Sequence, residues 1–350
     1  MRRAFLFVAL FLLVVGIGAG AWLWTGWQSL HRPVKEAGEP IVISILPGGS
    51  ARAIIGQLAA AGALPASPFP ELFYRFILDN PPLQAGEYSL PATSTPVEVF
   101  RKIISGDVVT RPLVIIEGLT VAEIVLEIDK QGFASAEELW AAATPRLIHD
   151  LDPLAQDLEG YLFPDTYHFP RTATAQDILT TMISTFRERS EDLRRKPDAL
   201  PLRELVTLAS IVEKETQNDF ERQLVAGVYR NRLDRRMGLY ADPTIIYALK
   251  KSGTWDGNLR KSDLQMDSPY NTYKVQGLPP GPICSPGRAS LEAAADPSTE
   301  PYLYFVSRND GTHVFARTLR EHNRNVNTWQ REYWRKKWKQ QPANEDSSPP

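Results

Sequence analysis

A chain of 350 residues has room for two domains and a large buried core. Its 43% hydrophobic and 23% charged residues are the proportions of a folded globular protein and exclude disorder over most of the length. A formal net charge of −2 without a basic run interleaved with aromatics argues against a nucleic-acid partner. The lone Cys284 cannot form an internal disulfide, and the five scattered His residues include no His-Glu-x-x-His pair, so neither metal nor cofactor is expected.

At the N-terminus, Ala4 to Trp24 is an uncharged apolar run of about the twenty residues that a membrane-crossing helix needs. Arg2 and Arg3 precede it, and Trp22, Trp24 and Trp27 stand where an interfacial aromatic belt would. The alternative is a cleaved signal peptide processed near Ala19-Gly20-Ala21; the length of the run favours a retained anchor over residues 1–27. Either way the bulk of the chain is exported.

A polar linker over 28–40 follows, with two prolines between His31 and Pro40. Three units then repeat loosely, each a strand, a hydroxyl cap and a helix. Ile41-Val42-Ile43-Ser44-Ile45 leads through Ser50 to a helix with Ile54, Ile55 and Leu58 that ends at Gly62. Gly86-Glu87-Tyr88-Ser89-Leu90 leads through Thr95-Pro96 to a helix with Val99, Phe100 and Ile103, ending near Gly106. Leu113-Val114-Ile115-Ile116 leads through Thr120 to a helix with Ile124, Val125 and Ile128, ending at Gly132. Any small α+β domain carries this pattern, so it assigns no chemistry.

From Asp152 to Phe169 the chain is turn-rich and aromatic, with Tyr161, Phe163 and Tyr167 read as core or groove wall. Helices are expected over Thr172 to Arg189 and Leu202 to Thr216. Asp219 is expected to cap a helix through Val225, Val228 and Tyr229, and Asp242 to cap another that begins at Pro243. Met266 to Pro286 is a long loop, which in a compact domain is usually functional. Ala289 to Ala295 returns to helix, Asn309-Asp310-Gly311 turns a hairpin, and residues 336–350 read as a polar disordered tail.

The stretch Leu208-Ala209-Ser210-Ile211-Val212-Glu213-Lys214-Glu215-Thr216 carries the candidate chemistry. An apolar helix ends there in two carboxylates and a hydroxyl. Burial disfavours the charged form of a glutamate, so one beside an apolar wall can keep a proton at neutral pH and act as a general acid. On a helical wheel Glu213 and Glu215 fall roughly 80° to either side of the apolar face, at about 100° per residue, so periodicity does not choose between them. Thr216 points almost into the stripe.

Val212 to Thr216, Val228-Tyr229-Arg230-Asn231-Arg232-Leu233, Asp242-Pro243-Thr244, Ser268-Pro269-Tyr270-Asn271-Thr272-Tyr273 and Gly277-Leu278-Pro279-Pro280-Gly281 together resemble the YceG-like (MltG) family of endolytic murein transglycosylases. Glu159 to Tyr167 and Tyr302 to His322 are similar to it too. The resemblance implies an α+β fold: an N-terminal transmembrane helix, a small LysM-like module over 41–111 that holds substrate, and a mixed helical and β catalytic domain over 112–335 with a lysozyme-like acid helix. It implies Glu215, the glutamate followed directly by a hydroxyl residue, as the catalytic acid, with Glu213 supporting or solvated. Thr216, Tyr270, Asn271 and Tyr273 are the implied substrate-binding residues, although Pro-Tyr-Asn-Thr-Tyr could equally pack a loop. Tyr240-Ala241 and Ser285 depart from the family pattern, which expects Gln and a hydroxyl residue before Asp242 and Asn or Thr at 285.

The implied activity is a lytic cut of the MurNAc–GlcNAc bond within nascent strands, leaving 1,6-anhydro ends and stopping strand growth. Its implied place is the inner membrane, single-pass, with the catalytic domain in the periplasm. Partners would be glycan strands, the bilayer and peptidoglycan synthases. The alternatives are a hydrolytic muramidase using Glu215 with a second carboxylate, and a non-catalytic peptidoglycan-binding scaffold. Were the anchor to set strand length, lengthening the linker from His31 to Pro40 would change it.

Overall fold

The N-terminal apolar run forms one helix, α1 (Arg2–Leu30), whose stretch Leu10–Leu30 is long and apolar enough to cross a membrane. The computed structural model describes residues 2–195, 200–216, 218–333 and 335, so the expected tail over 336–350 lies outside the described residues. The chain divides into two compact units: residues 1–112 with 168–173, and residues 113–167 with 174–350. It passes between them along β3 (Thr110–Val114) and β4 (Thr166–Pro170), and returns to the second unit at 173–174.

In the first unit β1 (Ile41–Ile45) and β2 (Gly86–Leu90) pair antiparallel, from Ile41 opposite Leu90 to Ile45 opposite Gly86. Alternation sends Ile43, Ile45, Tyr88 and Leu90 to one face, where they are buried. Helices α2 (Ala51–Ala60), α3 (Phe69–Phe76) and α4 (Pro96–Ser105) close over that face with Ile54, Leu58, Phe73, Phe100 and Ile103. Ser50 and Thr95 cap α2 and α4 as the sequence implies, and Thr95 forms a full capping box with Glu98. Helix α3 was not legible in the sequence, because it is one short amphipathic stretch set among prolines.

The end of α1 belongs to this unit. Leu30 is buried in its core, and the ring of Phe69 lies 2.0 Å from where a Cβ on Gly26 would stand. Only glycine admits that approach. The Trp22 and Phe69 rings are 4.5 Å apart between centroids. Of the linker expected over 28–40, residues 28–30 are the last of α1, and 31–40 lead from it to β1 within the first unit.

The second unit is built around α8 (Leu202–Glu215). Every residue from Leu205 to Val212 is buried, including Thr207 and Ser210. The single apolar stripe read from the sequence was too narrow: α9 (Asp219–Asp234), α10 (Asp242–Lys251) and α11 (Arg288–Ala295) pack around α8, so small hydroxyl residues serve as packing surface. Their polar groups are satisfied locally, Thr207 donating to Arg203 O at 2.7 Å and Ser210 to Thr207 O at 2.7 Å. Helices α5 (Val121–Lys130), α6 (Ala136–Ala142) and α7 (Ala175–Arg194) start on capping boxes at Thr120, Ser135 and Thr174.

Gly160, at φ 85°, lets the aromatic loop lie against α8, since a Cβ there would meet Pro282 at 2.6 Å and Val206 at 2.8 Å. The hairpin of β5 (Tyr304–Ser307) and β6 (His313–Ala316) forms around Asn309 to Gly311, followed by α12 (Leu319–Val326). It is tied to α9 through Arg232 Nε to Leu303 O at 2.7 Å and His313 N to Glu221 Oε1 at 2.9 Å.

Candidate active site

The last turn of α8 delivers its two carboxylates to different surroundings. Glu213 is buried against polar partners: Gly287 N–H donates to its Oε2 at 3.0 Å, and Arg222 Nη1 lies 3.5 Å from Oε1. Arg222 also donates to Asp219 at 2.9 Å and to Ser290 at 2.9 Å. Glu213 thus fastens the loop before α11 onto α8. Its charge and burial together hold the neighbouring Glu117 carboxyl above the ordinary carboxylate range, burial being the larger cause.

Glu215 keeps part of its side-chain surface open while protein surrounds its carboxyl. Tyr229, nearly three helical turns into α9 at about 3.6 residues per turn and itself buried, donates to Oε1 at 2.6 Å. Among the described residues Oε2 has no hydrogen-bond partner, which leaves it available. Burial pushes Glu215 up to about 7; the Tyr229 bond opposes this, the Asp242 carboxylate adds to it, and the Arg232 guanidinium opposes it. A group so placed carries a proton near neutral pH and can give it up.

The surrounding residues were not readable from spacing. Arg232 is held by Leu303 O at 2.7 Å and Leu239 O at 2.5 Å, with its guanidinium 5.9 Å from the Tyr240 ring centre and 5.5 Å from that of Tyr304. Asp242 is the first residue of α10, not its cap; Ala241 occupies the cap position without a side-chain bond. The freed Asp242 side chain accepts from Tyr273 OH at 2.5 Å. Asp219 likewise opens α9, and Asn218 caps it through Phe220 N. Tyr240 stands half exposed at φ 51°, a backbone region that is costly for an aromatic residue, with its ring 5.4 Å from that of Tyr273.

The implied substrate-binding residues separate. Tyr273 lies within electrostatic reach of Glu215, and burial with the Asp242 bond raises its phenol. Thr216 is buried, its hydroxyl accepting from Asn218 N at 3.0 Å, so it shapes the turn after α8. Asn271 is also fully buried. Its amide donates to Leu264 O at 3.1 Å and Met266 O at 2.7 Å, and its oxygen accepts from Tyr273 N at 3.0 Å. Those bonds commit Asn271 to holding the loop that presents Tyr273. Thr272 completes the hold by accepting from Ala241 N at 3.0 Å and meeting the Thr244 hydroxyl at 3.0 Å.

Tyr270 points elsewhere, its ring 4.9 Å from that of Tyr247 and tilted 54° to it. It lines a cavity of about 580 Å³ with Asp152, Asp157, Glu159, Arg203 and Lys251. Arg203 is twelve residues before Glu215, so that cavity lies about 18 Å away along α8 at 1.5 Å per residue. Glu159 is pushed up to about 8 by burial, but its oxygens accept from Val121 N at 3.0 Å and Tyr247 OH at 3.2 Å. It is occupied in holding α5 and α10 together. Glu159 and Glu215 are both pushed up by burial, but among the described residues Glu215 keeps one oxygen without a hydrogen-bond partner, whereas both Glu159 oxygens are taken.

The YceG-like family profile matches residues 43–328. The chain belongs to the YceG-like family. An endolytic murein transglycosylase of Bacillus subtilis is 32% identical to it over 331 residues, spanning 89% of this chain and 90% of the relative. One from Streptococcus pneumoniae is 30% identical over 328 residues, spanning 84% of this chain and 59% of the longer relative. The crystal structure of a YceG-like protein from Listeria monocytogenes shares 30% identity and superposes with a TM-score of 0.53 over 82% of this chain and 98% of that one. The family read from the motifs is thus the family of the fold. Ser285 is fully buried with its hydroxyl unpartnered among the described residues, while its backbone bridges to Gly118 and Leu119 at 2.8 Å each.

Proposed function

We propose that the protein is a membrane-anchored endolytic peptidoglycan transglycosylase that works with one carboxyl group, Glu215. The observation that carries this is the Glu215 site itself: a carboxyl held near a pKa of about 7 by burial, hydrogen-bonded by Tyr229 on one oxygen and open on the other. Protonated Glu215 donates to the glycosidic oxygen between N-acetylmuramic acid and N-acetylglucosamine, and the bond from that oxygen to the muramic C1 breaks. The substrate's N-acetyl oxygen meets the developing positive charge. The muramic C6 oxygen then closes on C1, and its proton returns to Glu215. No water is consumed and no protein nucleophile is needed, because the attacking hydroxyl is already in the molecule at a high effective concentration.

The aromatic pair Tyr240 and Tyr273 supports a sugar-holding role beside the acid, since stacking surfaces suit saccharide rings. Asn271 and Thr216 act on this reading by positioning Tyr273 and the end of α8, and Tyr270 belongs to the distant cavity. The β1–α2–α3–β2 arrangement supports the first unit as the LysM-like, glycan-holding module. The apolar part of α1 before it joins the first unit supports a single-pass inner-membrane anchor with the catalytic unit on the periplasmic side. The experiment is digestion of purified glycan by the full-length protein, wild type beside Glu215→Gln. Anhydro-ended fragments from internal cuts are expected only from wild type. Equal yields from both would refute the assignment, and a variant that retained all cellular activity would favour a scaffold.

A further inference from the structure

We infer that the first unit makes a second membrane contact: the groove between α1 and α3, with the apolar side chains on its rim, sits in the boundary between acyl chains and headgroups. This rests on the reading of α1 as a membrane anchor.

Helix α3 is apolar on two sides, whereas a helix at the surface of a water-soluble domain needs only one apolar face. Phe73 and Tyr74 enter the core of the first unit. Leu72 and Phe76 do not; Phe76 is 70% exposed, and Ile77 just beyond the helix is 60% exposed. Together with Leu23, Trp27 and Phe69 these side chains line a groove of about 300 Å³ between α3 and the end of α1. Trp24, on the same stretch of α1, is 64% exposed. A contiguous apolar surface of this kind marks an interaction site.

Continuity with α1 says what covers it. Phe69 packs on Trp22 and on Gly26, at the end of the apolar run where the interfacial tryptophans stand. From Trp22 to Leu30 is eight residues, about 12 Å of helix. A headgroup layer is about 5–7 Å thick on each side of the hydrocarbon. Helix α3 lies alongside those last turns, so a unit fastened to the span at Trp22 brings α3 to the membrane boundary with its second apolar side uncovered. The charges fit that depth. Arg75 lies 5.4 Å from the Phe76 ring centre, which places a cation at the apolar rim where lipid phosphates would stand, and exposed Arg32 stands two residues beyond the end of α1. The contact fixes the height at which the first unit holds a glycan strand above the bilayer.

The test uses the full-length protein in vesicles of phosphatidylethanolamine and phosphatidylglycerol. Single cysteines at Leu72 or Phe76 carry an environment-sensitive fluorophore; the native Cys284 is fully buried and does not compete for label. Leu13→Cys, inside the span, is the lipid reference, and Lys261→Cys, on an exposed loop, is the water reference. Quenching by brominated lipids at 72 and 76 comparable to that at 13, with several-fold less iodide quenching than at 261, is the expected result. Lipid quenching at 13 with water-like behaviour at 72 and 76 would overturn the inference and leave the anchor reading standing. So would positions 72 and 76 shielded from iodide yet untouched by brominated lipid, which would mean a protein covers them. Absence of lipid quenching at 13 would overturn the anchor reading and this contact with it.

Discussion

Tyr229→Phe isolates the interaction that sets the proton affinity of Glu215. The phenol donates to Oε1 at 2.6 Å and thereby favours the carboxylate, against burial, which favours the acid. A hydrogen bond to a charged group is worth about 1.5–3 kcal/mol, and about 1.4 kcal/mol moves a pKa by one unit. Arg232 remains to draw the value down, so the lower end applies and Glu215 should rise from about 7 by roughly one unit. The free enzyme's acid appears as the basic limb of kcat/KM against pH. Release of anhydro ends, measured from about pH 5 to 10, should show that limb displaced upward by roughly one unit in the variant. Below about pH 6 both proteins carry the proton, so the variant loses only what misalignment costs. Above about pH 8.5 the variant should outpace wild type if that cost is under roughly eightfold, because a larger share of it remains protonated. A limb that stays in place, or moves down, would refute the electrostatic account of the site.

Three further outcomes follow from the same contacts. Because the folded-state pKa of Glu215 lies above the ordinary value of 4.5, wild type loses stability as pH rises from about 4.5 through about 7. Glu215→Gln should escape that loss and unfold at higher denaturant than wild type at pH 8, by on the order of 3 kcal/mol, while being no more stable at pH 4. Arg203→Ala removes the partner 2.5 Å from Asp152, a buried carboxylate held also by Tyr161 at 2.8 Å; a loss of about 3–5 kcal/mol is expected in denaturant titration, reduced by the part-exposed position of Arg203. Tyr240→Ala should raise KM several-fold with little change in kcat, and should not lower stability, since the side chain is half exposed on strained backbone.

What the sequence revealed was what is local. Hydroxyl caps at Ser50, Thr95 and Thr120, the turn at Asn309 to Gly311 and the chemical character of the end of α8 are encoded within a few residues. Long-range groupings were not visible. No spacing rule brings Tyr229, Arg232, Asp242 and Tyr273 to Glu215, since they come from α9, α10 and a loop between 14 and 58 positions away. The run Tyr270 to Tyr273 reads as one patch in the sequence, yet its tyrosines face opposite ends of α8 because the intervening Asn271 and Thr272 are buried in hydrogen bonds. Periodicity assigned α8 one buried face, whereas three helices surround it. Nor could composition show that α1 ends inside the first unit, which depends on the close approach of Phe69 to Gly26.

The most direct test of the single-carboxyl mechanism is digestion in heavy-oxygen water. Internal attack by the C6 hydroxyl predicts new muramic ends that are anhydro and carry no label. Label at C1 of reducing muramic ends would mean that water is the nucleophile, and would contradict the mechanism.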